Sequence, residues 1–547
     1  MCLAGGALVQ VFLSGPPQPP PAGHSAIFWY LLKAYDPAAN LLLLLIAVVA
    51  FMLRRRPLPA GLFQYAGSHP AAVAAVLFVF LCLGSFWVYK THPLSMDEYS
   101  ALFQAGVFAS GKLSGSFPPE LLDDLIPPGF QNMFLSVSRS TGEVSSSYWP
   151  GFSLLLAPFA WLGVPWAANP AIGAISLLVI CRLARRITGS QEAGGWAVLL
   201  AIASPVFIVS SLSYYSMPAH LMLNAAYALL LLRPTLWRTV AAGLIGSLAL
   251  TLHNPLPHAL FAIPFIVWLI LRGGSLRLLA CLALAYALPW IVLGLGWKLY
   301  LGTLASQAPS SGAAAPLPGV VVMVLGYLEV FTLPSLTRIQ YRVAGLTKLW
   351  TWGALGIIVL AAWGYWLRRA DTPVRLLAAT LAATVLGFFL VPFDQGHGWG
   401  YRYAYPAWFV LPVLGAVALA SLASGNSARE SSAAELRSMA GWGIALSLVL
   451  CNALRLIQVE SFMDRHLGQV PPLAQAALAG SREVIFVNAR NGFYSIDLVQ
   501  NDPFLRGDRI VMLRRSPERV GEVMARHFPG YARVGSGPWG EHWQAAK

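Results

Sequence analysis

Charge is what this chain has least of. Only 11% of its 547 residues are Asp, Glu, Lys or Arg, with 22 acidic against 36 basic. Soluble domains carry about a quarter charged residues, so a water-soluble fold of this length is excluded. Cysteines are few as well. Cys2, Cys82, Cys181, Cys281 and Cys451 lie scattered in apolar stretches with no C-x-x-C spacing, so neither a disulfide framework nor a thiolate metal site is implied. A Walker loop is missing, which removes nucleotide hydrolysis. Ionisable residues are almost absent from the middles of the apolar runs, whereas proton-coupled transporters need them there.

What the chain has instead is hydrophobic length. Hydrophobic residues make up 57% of it, with 19 Trp and a mean hydropathy of +0.63. A spanning helix needs about 20 mostly apolar residues. Runs of that kind lie near 37–53, 70–89, 167–184, 194–211, 218–232, 239–253, 256–271, 277–296, 349–367, 375–392, 404–422 and 440–456. The fold class expected is an α-helical polytopic membrane protein with about twelve transmembrane helices.

Arginines fix the expected orientation. Arg54 to Arg56, Arg182/Arg185/Arg186, Arg233/Arg238, Arg272/Arg277, Arg368/Arg369/Arg375 and Arg429/Arg437 fall at every second connection, and such loops are cytoplasmic. Loops 90–166, 298–348 and 393–403 and everything after about 457 are then outside. The net charge of +14 is largely this signal plus a basic tail, so a nucleic-acid partner has no support.

Three domains follow. Residues 1–36 are a segment to which no role attaches; its first 13 are apolar but lack the basic start of a signal peptide. Residues 37–456 form the transmembrane domain, with outer loops 90–166 and 298–348. In the first loop, Phe152 to Trp161 are too short to span and are expected in the interface. Residues 457–547 turn charge-rich, with strand-like runs at 483–487 and 509–513 and a helix start at Ser516-Pro517. They are expected to form a small C-terminal α/β extracytoplasmic domain.

The most informative motif is Met96-Asp97-Glu98-Tyr99, an acidic pair where the run 70–89 has just left the bilayer. A carboxylate there can meet a lipid-linked substrate at headgroup depth and take a proton from a water-side acceptor. Asp97 is read as a general base and Glu98 as a second acid that orients substrate or tunes its partner. Acids also favour the first turn of a helix, so a purely structural pair fits the same letters.

A second constellation runs Asp394-Gln395-Gly396-His397-Gly398-Trp399-Gly400-Tyr401-Arg402-Tyr403. Its alternate glycines permit unusual dihedrals. Arg402 and His397 offer donors to a phosphate, and Trp399, Tyr401 and Tyr403 offer aromatic faces to a sugar. An interface belt with one anchoring Arg is the plainer reading. Arg338, Arg342 and Lys348 lie before an outer-to-inner helix and could grip phosphate or merely touch headgroups. Tyr148-Trp149 and His253 join the candidate sugar- and acceptor-binding residues. No set of ligands for a divalent metal stands out, and no cofactor is expected.

These elements resemble the membrane glycosyltransferases of the GT-C superfamily, in the bacterial branch with the lipid A aminoarabinose transferases and protein O-mannosyltransferase relatives. Residues 70–425 carry the resemblance. Its marks are Asp97-Glu98, Tyr148-Trp149-Pro150-Gly151 leading into Leu154-Leu155-Leu156-Ala157-Pro158, Ala184-Arg185-Arg186, and Arg402-Tyr403 followed by Pro406. Two departures stand out: His253-Asn254-Pro255 where the family often has Arg-Pro, and an extra span at 37–53.

The resemblance implies inverting transfer of a sugar from a polyprenyl-phosphate carrier to an extracytoplasmic glycan, lipid or protein. It puts Asp97 on the acceptor hydroxyl, and Arg402, with Arg338, Arg342 or Lys348, on the departing phosphate. It also implies a multi-pass protein of the bacterial inner membrane with its site facing the periplasm. The rival readings are a ligase of preassembled lipid-linked oligosaccharide and a lipid-sugar flippase or transporter.

Overall fold

The computed structural model describes residues 26–58, 60–272, 276–306, 329–392, 398–422, 430–475 and 482–545. Helices form where the apolar runs lie, because a helix inside a bilayer satisfies its own backbone. Proline marks where they begin. Pro37, Pro70, Pro205, Pro218, Pro257 and Pro373 each stand in a first turn, where no intrahelical N–H is lost.

Among the described residues, five helices are long and apolar enough to cross a membrane: Pro70–Trp87, Pro165–Thr188, Leu276–Leu304, Thr372–Phe389 and Ser431–Gly468. Other apolar helices, among them Asp36–Met52, Met217–Leu231 and Leu256–Leu271, are shorter. The chain is an integral membrane protein, mostly helical, with a small C-terminal sheet domain, and its apolar helices differ widely in length. Turn-forming residues do the shortening. The run over 194–211 divides before Pro205 into Gln191–Ile202 and Pro205–Ser210. The run over 349–367 is interrupted ahead of Gly356, whose φ is +74°, and resumes as Ile357–Leu367. Ser431–Gly468, by contrast, is continuous across the boundary expected at 457.

Close helix contacts rest on small residues, as they must where apolar lipid gives no drive to association. Helix Ile357–Leu367 packs on Val410–Ser421 so tightly that a Cβ on Gly364 would lie 1.9 Å from the Leu414 carbonyl oxygen. A buried ionic cluster ties helix Asp36–Met52 to two later ones. Asp36 meets Arg455 at 2.8 Å and Lys348 at 3.6 Å, and Trp352 donates its indole N–H to the same carboxylate at 3.0 Å.

Outside the bundle lie two small sheets. β1 (Gly115–Ser116), β2 (Leu135–Val137) and β3 (Glu143–Ser146) pair antiparallel in the order β1-β3-β2. β4 (Glu483–Val487), β5 (Arg509–Leu513), β6 (Tyr531–Gly537) and β7 (Gly540–Ala545) run β5-β4-β7-β6, with only β4 and β5 parallel. β4 and β5 are the two strand-like runs of the sequence. Helix Pro517–His527 starts as expected, with the Ser516 side chain accepting from the Arg519 N–H at 3.2 Å.

The C-terminal domain and the segment 96–146 share one hydrophobic core, joining Phe103, Phe117 and Leu125 to Phe486, Ile510 and Val523. Polar contacts lock the same seam. Tyr99 donates its hydroxyl to the Asn501 carbonyl at 2.7 Å and accepts the Asn501 N–H at 2.8 Å. Arg519 grips buried Asp124 at 2.7 Å.

The Asn501 side chain both donates to the Val511 carbonyl and accepts its N–H, each at 2.8 Å. Asn501→Ala strands two buried backbone groups, at about 1–3 kcal/mol apiece. Limited trypsin digestion is expected to cut the tail of this variant at least about ten-fold faster than wild type. An unchanged rate would show that this side chain does not hold the tail in place.

Candidate active site

After helix Pro70–Trp87 the chain turns through Lys90 and Thr91, both at positive φ, and re-enters a helix, Met96–Ala109, that begins just after the extended residue Ser95. This turn puts Asp97 and Glu98 in the first helical turn, and the two then face different surroundings. Glu98 is fully buried. Its carboxyl accepts the Tyr89 hydroxyl at 2.6 Å and the Leu94 N–H at 2.7 Å, stapling the helix to the segment before it, as a capping-box acid does. Trp399 donates to the Tyr89 oxygen at 3.1 Å from behind.

Asp97 faces outward into a cavity of about 540 Å³. Arg402 pairs with its Oδ2 at 2.8 Å, the two side chains 12% and 15% exposed, and the Tyr148 hydroxyl donates to its Oδ1. The Tyr148 ring lies edge-on to His253 at 4.2 Å. The guanidinium of Arg402 sits over the Tyr215 ring at 4.7 Å, and that hydroxyl is 3.1 Å from Ser95 Oγ. Gly398 and Gly400, at φ +123° and +84°, supply the backbone conformations that the alternating glycines implied. Trp399 and, from the tail, Asp497 complete the wall.

The other expected site residues lie elsewhere. Lys348 is spent on Asp36. Arg342 donates to the Val391 carbonyl at 2.9 Å and covers the Tyr403 ring at 4.6 Å. Arg338 holds Thr332 at 3.0 Å. All three are on helix Leu336–Thr351, which buries Arg342 and Lys348 and leaves Leu336 and Val343 exposed. Tyr401 and Trp149 are buried, and Tyr403 stacks on Phe388 at 4.5 Å. His397 lies outside the described residues.

Charge in the site is sharply divided. Burial pushes the Asp97 carboxyl up, but Arg402 and the Tyr148 hydroxyl, joined by His253 in the acid range where that ring is protonated, outweigh it and hold it at about 2. Burial opposes the charge on Arg402, and Asp97 more than restores it. His253 is driven down to about 4 by burial, against the pull of Asp97, so it is a neutral imidazole. Glu98 is pushed up to about 8 by burial, over the opposing Tyr89 and Leu94 donors. Asp497 is pushed up to about 7 by burial and by Asp97. Its carboxylate has no partner among the described residues.

Sequence reasoning missed Asp497 and Tyr215. The pair Tyr214-Tyr215 just ahead of Ser216-Met217-Pro218 was a usable signal; nothing in the tail singled out Asp497. Among the described residues, no three His, Cys, Asp or Glu side chains group as a metal site.

No protein-family model matches this sequence, and no curated protein sequence matches it. In fold the chain is similar to ArnT from Cupriavidus metallidurans. The structure of that protein bound to undecaprenyl phosphate superposes with a TM-score of 0.52 at 13% identity, covering 86% of this chain and 97% of that one. Its apo structure gives 0.50 at 14% identity, covering 87% and 98%. The likeness is one of fold, and it extends over most of this chain and almost all of the other.

The raised carboxyls make stability depend on pH. Glu98, ordinarily at 4.5, holds its proton in the folded state to about 8. Between those values the unfolded chain ionises and the folded chain does not, so this group removes stability as pH climbs. Asp497 acts in the same direction up to about 7. Below about pH 6.5 the buried histidines His92 and His253, held down to about 4, work in the opposite direction. From about pH 6.5 to pH 8 thermal midpoints in detergent are therefore expected to fall, and Glu98→Gln with Asp497→Asn to flatten most of that slope. An unaltered slope in the double variant would mean that neither carboxyl is the source.

Proposed function

We propose that this chain is a membrane glycosyltransferase that moves a sugar from a polyprenyl-phosphate donor to an acceptor hydroxyl at the periplasmic face of a bacterial inner membrane. The observation that carries this reading is the Asp97–Arg402 pair at a cavity wall, in a fold shared with a protein solved with undecaprenyl phosphate. The cavity volume of about 540 Å³ suits one sugar better than a preassembled oligosaccharide.

In the proposed reaction Arg402 exchanges partners. A donor phosphate entering beside it offers two oxygens to the guanidinium fork, which matches phosphate better than a single carboxylate oxygen. Asp97, no longer held by Arg402, loses its strongest opposite charge and becomes a better base. The acceptor hydroxyl gives its proton to Asp97 as its oxygen attacks the anomeric carbon. The carbon–oxygen bond to the phosphate breaks, and the electron pair leaves on the phosphate oxygen facing Arg402. A single displacement of this kind inverts the anomeric centre. Tyr148 orients Asp97, and neutral His253 packs behind Tyr148 without adding charge. Trp399 and Tyr215 offer faces to the sugar. Asp497 reaches the same cavity from the tail, so acceptor recognition is shared between membrane domain and cap. The reading calls for no metal ion, because Arg402 meets the phosphate charge.

Loss of a positioned base costs about 10²–10⁴ in rate, so Asp97→Asn is expected to lose transfer by that factor while still folding. Near-normal turnover would remove Asp97 from the chemistry. Arg402→Lys should keep part of the activity and Arg402→Ala roughly 10²–10³-fold less than wild type. Equal turnover per folded molecule in all three would leave Arg402 as an interface anchor.

Orientation is tested separately. Cysteines placed at the exposed positions Ser140 and Arg526 in a cysteine-free background should react with a membrane-impermeant thiol reagent in intact spheroplasts, and one at Arg369, also exposed, should not. The reverse pattern would put Asp97 in the cytoplasm.

A further inference from the structure

A second cavity, of about 330 Å³, lies at the other end of the bundle, walled by Arg186, Arg233 and Arg368. Three helices deliver these side chains. Arg186 is in the last turn of Ala168–Thr188, Arg233 follows Met217–Leu231, and Arg368 caps Ile357–Leu367. A fourth helix, Thr372–Phe389, points its N-terminus into the same space through Thr372 and Pro373, the positive end of its dipole.

The charge is not compensated. Arg368 pairs with Asp371 at 2.5 Å and also donates to the Ile187 carbonyl at 3.2 Å. Among the described residues, Arg186 and Arg233 have no carboxylate partner. Arg238 adds another positive charge close by, its guanidinium bonded to the Arg233 carbonyl at 3.3 Å. The C-terminal dipoles of three of these helices favour the arginines, yet the guanidinium groups still outnumber the carboxylates here, and their field attracts an anion into the cavity.

The depth is that of lipid headgroups. Trp237 and Trp366 are 64% and 62% exposed at this end, and each carries an arginine on its ring, Arg238 at 5.3 Å and Arg369 at 3.9 Å. Exposed Trp with Arg beside it marks a membrane–water interface. Helix Ala168–Thr188 also gives the distance to the other site. Its Asn169 binds the Tyr215 carbonyl beside Arg402, and Arg186 lies about 26 Å along the axis at 1.5 Å per residue. The two cavities are therefore on opposite faces of the bilayer.

We propose that this cavity binds the phosphate of an anionic phospholipid from the leaflet opposite the Asp97 site. Arg186 and Arg233 contact the phosphate oxygens, and Arg368, already fixed by Asp371, frames them. Basic pockets between helices at this level suit such headgroups. A bound lipid would clamp four helix ends with no part in the transfer chemistry.

The test uses the full chain purified in neutral detergent, with thermal unfolding and native mass spectrometry as readouts. Phosphatidylglycerol should raise the melting temperature and remain bound in the mass spectrum, while phosphatidylcholine does neither. Arg186→Gln with Arg233→Gln should need roughly ten times more phosphatidylglycerol for the same shift, as expected from losing two charge-assisted contacts. Arg233→Gln alone, at an exposed position that does not threaten folding, should show an intermediate loss. Equal responses of wild type and both variants would overturn the proposal. So would phosphatidylcholine matching phosphatidylglycerol, or inorganic phosphate at the same concentration giving the same shift, which would make this a free-phosphate site.

Discussion

The candidate site is organised around one ion pair, Asp97 with Arg402 at 2.8 Å. Its partners come from distant parts of the chain, 305 positions apart. Each is held by aromatic neighbours, Tyr148 on the carboxylate and Tyr215 on the guanidinium. A pair this shielded is weak evidence for stability, since desolvation offsets much of the attraction. Its value here is positional. It parks a cation and a carboxylate on the wall of one cavity, each in the charge state that the other enforces.

The adjacent carboxylates show how environment divides identical chemistry. One residue apart on the helix, Asp97 is held at about 2 and Glu98 is pushed up to about 8. Arg402 contacts only the first, and its weaker pull on Glu98 is outweighed by burial. Glu98 sits behind it, tying the helix start to Tyr89 and Leu94 and, through Tyr89, to Trp399 in the glycine-rich segment. It therefore supports the position of both halves of the ion pair without facing the cavity. The tail does comparable work from outside. Its core is continuous with that of the first loop, and the seam at Tyr99 and Asn501 brings Asp497 to the cavity.

Much of this was legible in the sequence. Apolar runs, arginine alternation and proline positions mark the helices, because bilayer physics allows few alternatives. Asp97, Tyr148, Trp399 and Arg402 stand out as polar or glycine-flanked residues at helix exits, and the structure brings them together. Lys348 and Arg342 were misleading for a physical reason. An amphipathic helix in lipid can turn its cations inward and its leucines outward, and composition alone cannot tell that from a water-facing helix. Asp497 was invisible because it belongs to a charge-rich tail, where one acid looks like any other until the cap folds over the site. Helix lengths were overestimated where Pro205 and Gly356 interrupt apolar runs that hydropathy reads as continuous.

The central claim is that Arg402 trades Asp97 for a lipid phosphate. Equilibrium binding of polyprenyl phosphate to wild type and to Asp97→Asn tests it most directly, by tryptophan fluorescence in detergent. The trade predicts that the variant binds the phosphate more tightly, by roughly ten-fold, because Arg402 is already released and a repelling carboxylate is gone. Binding that weakens in Asp97→Asn would mean that the carboxylate holds Arg402 in its binding position, and the exchange would be contradicted.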